Sequence, residues 1–535
     1  VSLLRSNLAV ASGTALSRLT GFIRVALLGF IVGQTGLTDA YNQANATPNL
    51  IYELLLGGVL SATLVPLFTR LSDEGDDEGT AAVVSVAVVL TAIITVVAVV
   101  AAPWIFRLYS LRTAATVDAD VYRHAGTLLA RIFLVQIFFY ALNALGTAML
   151  QARRRFFAAA WAPVLSNIVI IASLLLVPSA MSAAGKTGQA PSLTDVITDD
   201  RLRWTLGLGA TGGIAVMAIA LLPSLRSVGV PLRFTFQPKH PAVQRLRSLS
   251  GWALGYVVAN QVAILVIQYL VRPGNGDQDA YTRAFTLFVL PHGLLGVSIA
   301  TTFLPGMSSA IGQRNKTRLI SQTTLGLRMI GVLTIPAGFL LFTLRRPIIG
   351  AAFQWKRFSP SAADLTSRGL AGFAIGLGAF SIYLFVLRVF YAHHDARTPF
   401  IINCGENLLN IVFAVILVER YGVMGLAIAF ALAYIVAAAW ALQVLSYKVP
   451  GFPIRPVLAS LGRTLLASVV MAEVTWIVAR NVGANAGAGA FVRCIVGGLT
   501  AVVVFVGVLA VLGGPELDEI RRRLPGRDRG SAEVS

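Results

Sequence analysis

Two arginines, Arg18 and Arg24, stand inside an otherwise apolar stretch, residues 8–32, that is long enough to cross a bilayer. A charged side chain at bilayer depth costs at least ~2.5 to 3.5 kcal/mol on insertion scales, so such residues usually face a protein interior or a water-filled cavity. Two in one span point to an internal site for an anion. At ~100° per residue their six-residue spacing sets them about 120° apart around the helix and ~9 Å apart along it. They can line a broad cavity but not one narrow seam. A second role also fits each: pairing with a carboxylate between helices, or snorkelling to an interface. Asp39 opens the next apolar segment and Arg283 a later one. Either reads equally well as an ordinary helix-end charge. As a set, three arginines and one acid suggest a basic cavity with a gating ion pair.

Further along, Glu406 with Asn407 and Asn410 forms an oxygen-rich patch of the kind a Na⁺ or proton site requires, because hard cations prefer carboxylate and amide oxygens. Structural hydrogen bonding is the commoner role for such a patch. Glu53, Arg131, Arg328, Arg388, Glu473 and Arg493 also fall in or near apolar segments, where some must serve as interhelical pairs. His292, His393 and His394 lack a metal-ligand spacing, and the two cysteines, Cys404 and Cys494, offer neither a disulfide framework nor a metal site. There is no HExxH, no nucleophile elbow and no phosphate-binding GxxxxGK[ST] loop. The chain therefore reads as no enzyme and carries no ATP motor. Work would have to come from a Na⁺ or H⁺ gradient, the membrane potential, or the substrate's own gradient, with no bound cofactor.

The elements that must position these residues are membrane helices. Hydrophobic residues make up 56% of the chain and charged residues 13%, against about a quarter charged in soluble domains; the mean hydropathy is +0.75. Hydropathy yields about fourteen spans of near ~20 residues or more. They lie near residues 8–32, 40–71, 81–109, 122–150, 156–181 and 204–225, then 249–271, 280–311, 319–344, 370–392, 400–418, 422–447, 457–482 and 488–512. The first of them is too long, and carries arginines too centrally, for a cleaved secretory signal.

If spans simply alternate, Arg153 to Arg155, the 226–247 connection, the Arg314, Lys316, Arg318 loop and Lys448 with Arg455 share one side, which should be cytoplasmic. Arg521 to Arg523, Arg527 and Arg529 join them, placing both termini inside. The segment with Arg345, Arg346, Lys356 and Arg357 is the exception and would be external. The net charge of +19 is scattered over loops, which fits attraction to anionic membrane lipid and not nucleic acid. Residues 234–248, with Lys239, Arg245 and Arg247, read as an amphipathic helix on the inner surface.

Residues 58–66, GVLSATLVP, are echoed by 296–305, GVSIATTFLP, and Gln151-Ala152 with Ser166-Asn167 is answered at a similar offset of about 240 residues by Tyr391-Ala392 with Glu406-Asn407. Such a shared offset favours duplication over chance likeness among apolar helices. The expected organisation is an all-α polytopic membrane protein: a first lobe over 1–226, a cytoplasmic linker over 227–248, a second lobe over 249–447, a helical pair over 448–513 and a polar cytoplasmic tail over 514–535.

The block Ser17-Arg18-Leu19-Thr20-Gly21-Phe22-Ile23-Arg24, then Thr38-Asp39-Ala40-Tyr41, Pro48-Asn49-Leu50 and residues 58–66, resembles the MurJ (MviN) family of lipid II flippases, and residues 281–297 with Leu304-Pro305 resemble that family's eighth helix. The similarity runs from about Leu3 to Leu512, and the overall wording is similar to actinobacterial members. It implies a fold of the multidrug/oligosaccharidyl-lipid/polysaccharide exporter type, with two pseudo-symmetric six-helix lobes around a central cavity and two further helices forming a groove for a lipid tail. It further implies transfer of lipid II from the inner to the outer leaflet of the bacterial cytoplasmic membrane by alternating access. By the same resemblance Arg18, Arg24 and Arg283 would bind the diphosphate or gate the cavity, Asp39 would be a partner that alternates between states, and Ser17, Pro48 and Asn49 would shape the cavity. Departures occur at Val25, where many relatives carry an acid, at Tyr52 and Glu53 in place of a basic residue, and at Gly57 in place of a frequent Glu. The register at Arg283 needs a small shift. Some members continue into a pseudokinase-like region; this chain ends in a short polar tail. Other readings are export of another polyprenyl-linked glycan or of a cationic drug by the same fold, the latter disfavoured by a basic cavity, and a membrane scaffold that recruits cell-wall synthesis proteins.

Overall fold

The computed structural model describes residues 3–52, 64–230, 233–248, 251–393 and 395–513. Glu53, Gly57, His394, most of the 58–66 repeat and the polar tail lie outside the described residues. All described regular structure is helical, and contacts divide it into two compact units.

The first unit spans Val1–Arg283 and adds Trp355–Ala362. It contains α1 (Leu3–Ile31), α2 (Gly36–Tyr52), α3 (Val65–Asp73), α4 (Asp77–Val100), α5 (Ala102–Tyr109), α6 (Ala119–Leu134) and α7 (Gln136–Ala152). It continues with α8 (Phe157–Ala183), α9 (Leu193–Thr198), α10 (Asp200–Ile219), α11 (Leu222–Ser227), α12 (Pro241–Ser248), α13 (Gly251–Val271) and the start of α14 (Asp277–Pro291). Local chemistry sets the helix starts. Asp76 caps α4 by accepting from Gly79 N at 2.7 Å, Asp118 caps α6, and Ser192 with Asp195 forms a capping box on α9. The α4–α5 break follows from Pro103, whose ring cannot continue the hydrogen-bond ladder. A core of Phe106, Tyr122, Phe133, Ile170 and Leu206 is fully or almost fully buried among α5, α6, α8 and α10.

The second unit, Ala284–Gln354 with Ala363–Ser535, takes the rest of α14, then α15 (Val297–Gly312), α16 (Lys316–Thr343) and α17 (Arg345–Phe353). Most of α18 (Pro360–Ile375) and all of α19 (Leu377–Ala392), α20 (Arg397–Lys448), α21 (Ile454–Arg480) and α22 (Gly487–Val511) follow. Its centre is aromatic: Phe430 lies 5.3 to 5.8 Å from Phe285, Phe288, Phe373 and Phe380, and 4.5 Å from Tyr434. After Pro291 the chain makes a single π-helical turn, His292–Gly296, where the missing N–H already interrupts the ladder.

Among the described residues, ten helical segments are long and apolar enough to cross a membrane, or eleven if α18 and α19, bent by 48°, make one span. Large apolar side chains such as Ile93, Val97 and Val503 stay exposed on them, as a lipid-facing surface requires. At ~1.5 Å per residue α20 is more than twice as long as a ~30 Å hydrocarbon core, and its backbone breaks at Gly422 (φ 54°, ψ −131°), the first residue of the second of the two spans expected there. The fourteen expected spans are not all recovered among the described residues. The second runs through residues 53–63, which are not described, and the seventh appears as the shorter apolar helix Val258–Val271.

Two expectations differ in detail. The surface helix expected over 234–248 is helical only from Pro241; Thr235 N instead donates to Ser85 Oγ, and Gln237 to Glu78, seating the segment on α4. The division between units falls at Arg283 rather than near 227–248. The reason is local: the 272–283 segment is bonded to the first unit, with Ala114 N donating to Pro273 O and Asp39 gripping the turn that follows.

Candidate functional site

Asp39 sits in the first turn of α2, completely buried, and faces a turn made of Pro273, Gly274, Asn275 and Gly276. Its Oδ2 accepts from Gly274 N at 2.7 Å and Gly276 N at 2.9 Å, while Oδ1 accepts from Asp279 N at 2.8 Å. One carboxylate thus satisfies backbone donors at the start of α14, where the helix dipole also favours an anion. The turn takes this shape because Gly274 (φ +130°) and Gly276 (φ +96°) adopt backbone angles that other residues avoid.

The next link is Asp279. Its Oδ1 accepts from Asn42 Nδ2 at 2.7 Å, and its Oδ2 accepts from Arg283 Nε at 2.5 Å, one helical turn on. The Arg283 guanidinium then donates to the Val25 carbonyl of α1 at 2.6 Å and lies 5.3 Å over the Phe358 ring. Gly29 makes the room: a Cβ there would meet Arg283 Nη1 at 2.8 Å. Arg283 is the largest fully buried side chain among the described residues. Nearby, Arg357 donates to Ile31 O at the C-terminus of α1 and to Gly188 O, both at 2.7 Å, where a cation complements the helix dipole. The knot therefore fastens α1, α2 and the head of α14 together within the first unit.

Arg283 and Asp39 are brought into one network, though not as a direct pair; Asp279 stands between them. Arg18 is exposed and Arg24 half-buried on α1, and neither makes an ion pair or hydrogen bond among the described residues. Arg24 is close enough to the buried Tyr41 to interact with it electrostatically. The Ser17 carbonyl accepts from Asn167 Nδ2 at 3.1 Å, which also donates to Thr20 Oγ1, locking α1 onto α8. Asn49 is half-buried on α2 beyond Pro48.

The second candidate lies wholly in the second unit. Glu406, Asn407 and Asn410 are buried on α20, and Asn403, one turn earlier, extends the same face. Asn407 donates to Asn403 O at 2.9 Å, while Glu406 Oε2 and Asn410 Oδ1 are buried without a hydrogen-bond partner among the described residues. No group of three or more His, Cys, Asp or Glu side chains gathers as a metal site among the described residues.

Sequence reasoning missed Asp279, Asn42, the Gly274–Gly276 turn and Arg357. The i, i+4 spacing of Asp279 and Arg283 and the Pro-Gly-Asn-Gly string were the available signals; nothing local marks Asn42, and Arg357 stood out only as part of the basic segment that breaks the charge pattern.

Comparison with known proteins follows the same lines. Residues 29–497 match the family model described as "Lipid II flippase MurJ". The chain is 27% identical over 435 residues to the lipid II flippase MurJ of Burkholderia cenocepacia, covering 80% of each chain, and 25% identical over 481 residues to the probable lipid II flippase MurJ of Rhizobium meliloti, covering 89% of this chain and 87% of that one. Among solved structures it is similar in fold to a lipid II flippase MurJ in an inward closed conformation, with a TM-score of 0.76 and 21% identity over 96% of this chain and all of that one. An inward-facing multidrug transporter of the MATE family matches at a TM-score of 0.64, with 15% identity over 82% of this chain and 99% of the other.

Proposed function

Because the chain belongs to the family of the lipid II flippase MurJ, we propose that it carries lipid II across the bacterial cytoplasmic membrane, from inner to outer leaflet, for peptidoglycan synthesis. The family match over residues 29–497 carries this reading. The protein is a multi-pass membrane transporter and not an enzyme. Both termini face the cytoplasm in this proposal, in line with the basic loops.

The arginines support a division of labour. A diphosphate needs forked, permanently charged donors in a dry cavity. Arg18 and Arg24, which have no protein counter-charge among the described residues, are the cations we assign to the head group. Arg283, tied to Asp279 and Val25, acts as the gating cation, and Asp39 as the latch that holds α14 against α2 in one state. Alternating access then means release of this buried knot, whose bonds must be replaced in the other state. Ser17 and Asn49 shape the α1 and α2 walls. For energy input we assign Glu406, with Asn407 and Asn410, as a Na⁺ or H⁺ site, because a buried carboxylate oxygen and a buried amide oxygen there lack donors among the described residues.

The test is outer-leaflet accessibility of lipid II, read by cleavage with an externally added lipid II-degrading toxin in cells depleted of the protein. Wild type restores cleavage and a well-expressed Arg24→Ala does not. Unchanged cleavage on depletion, with no second flippase present, moves the reading to another polyprenyl-linked substrate or to a scaffold for cell-wall proteins. For the ion site, Glu406→Gln removes any Na⁺ or pH dependence of transport; a wild type indifferent to both ions sinks it.

A further inference from the structure

At the C-terminal end of α16, a cavity of about 370 Å³ opens between α16 and α21, lined by Phe339, Phe342, Val469 and Trp476 together with Arg345 and Glu473. A second cavity of about 260 Å³ shares Arg345 and Trp476 with it and adds Arg346, Arg480 and Arg493. Four arginines and one exposed glutamate thus meet at the ends of transmembrane helices, above an apolar wall.

The arginines differ in what they already do. Arg493 commits its guanidinium to the Val482 and Gly483 carbonyls and to Asn485, closing the α21–α22 turn. Arg346 bonds Gln354 and approaches Asp364 to 3.9 Å. Arg345 makes one backbone bond, to Phe342 O. The exposed Arg480 lies 4.9 Å over the Trp476 ring and makes no hydrogen bond or ion pair among the described residues. Arg345 and Arg480 thus line the same cavity, and Trp476, 51% exposed, sits where aromatic residues mark the membrane–water boundary.

This end of α16 is opposite Lys316 and Arg318, which the charge pattern assigns to the cytoplasm. Arg345 and Arg346 are part of the basic segment that breaks the positive-inside pattern. Arg357 of the same segment is accounted for by the α1 carbonyl it caps; Arg345 lies 4.8 Å over the Phe342 ring and within electrostatic range of Asp364, a carboxylate already engaged by Arg346 and Arg368, and Arg480 has no carboxylate partner among the described residues. A local anion supplies the counter-charge. We propose that the ends of α16 and α21 form a binding site for an anionic phospholipid of the outer leaflet, its phosphate held by Arg345 and Arg480 and the start of its acyl chain lying on Phe339, Val469 and Trp476. A soluble anion would leave the apolar wall uncovered, and a zwitterionic lipid would bring a second cation against the arginines. The site is independent of the lipid II reading.

Native mass spectrometry of the purified full chain, titrated with phosphatidylglycerol and with phosphatidylcholine of matched chains, tests it. Wild type holds phosphatidylglycerol in preference. At about 1 kcal/mol per arginine near a lipid surface, the Arg345→Gln/Arg480→Gln variant should bind it at least about tenfold more weakly. Arg420→Gln, which removes an arginine stacked on Tyr421 elsewhere, should bind as wild type does. Arg480→Gln alone, which breaks no hydrogen bond, gives an intermediate loss and decides the matter should the double variant misfold. Equal retention of both lipids, an unchanged affinity in Arg480→Gln, or displacement of phosphatidylglycerol by undecaprenyl diphosphate at one equivalent would overturn the proposal, the last by making this a substrate site.

Discussion

Asp39→Asn is the perturbation that most directly tests the knot. Asp39 receives three backbone N–H groups, two on Oδ2 and one on Oδ1, and is completely buried. An asparagine in the same rotamer has one acceptor oxygen. With that oxygen at the Oδ2 position, Gly274 and Gly276 keep their bonds but the amide NH₂ faces the Asp279 N–H, donor against donor; flipped, it strands both glycines. At least one buried donor is orphaned, costing about 1 to 3 kcal/mol, and the surviving bonds fall from the charge-assisted range of about 1.5 to 3 kcal/mol to the neutral range of about 0.5 to 1.5. A total of at least ~3 kcal/mol follows, and Asp39→Ala, which orphans all three donors, should cost more. Denaturing-detergent titration of the purified protein reads the difference. Since ~3 kcal/mol is more than a hundredfold in an equilibrium constant, the same variant should shift any two-state gate away from the knotted form, visible as raised labelling of a cysteine placed at the buried Gln278. An Asp39→Asn protein within about 0.5 kcal/mol of wild type, with unchanged labelling, would refute the reasoning.

The Asp279 and Arg283 pair should show the asymmetry of buried ion pairs: Asp279→Ala destabilises by about 3 to 5 kcal/mol, whereas Asp279→Leu/Arg283→Met recovers much of the loss; a double variant as unstable as the sum of the singles would contradict the pairing. Gly29→Ala puts a methyl against an arginine fixed at both ends and should cost about 1 to 3 kcal/mol by overpacking, while Gly212→Ala, which meets nothing, is tolerated. Outside the spans, burial raises the Asp395 carboxyl but hydrogen bonds from Lys448 and Thr398 outweigh it and hold it down to about 2, from 3.8. Its folded value is depressed, so its stabilisation is present above about pH 4 and lost as pH falls towards 2; Asp395→Asn should lower the melting temperature at pH 7 and converge with wild type in acid, and a gap that persists at pH 2 would count against it.

Much of this was written in the residues one after another. A run of apolar side chains near ~20 long has few ways to satisfy its backbone in lipid except as a helix, so α1, α4, α8, α16, α21 and α22 fall close to where hydropathy puts them. Arg18, Arg24, Asp39 and Arg283 stand out for a related reason: a charge at bilayer depth is costly wherever the chain goes, so its presence in sequence already signals a site. Local patterns also carry caps, such as Ser192 with Asp195. What the sequence leaves open is which charge meets which. Asp39 and Gly274 are 235 residues apart, Arg283 and Val25 are 258 apart, and Arg357 reaches Ile31 across 326. No periodicity encodes such separations. Arg18 and Arg283 look alike as intramembrane arginines, yet one is exposed and the other completely enclosed, because helix packing alone decides which guanidinium meets a carboxylate and a backbone carbonyl. Hydropathy is a sum over neighbours in the chain, whereas desolvation and pairing depend on neighbours in space, so the helices could be read from the sequence and the knot only from the fold.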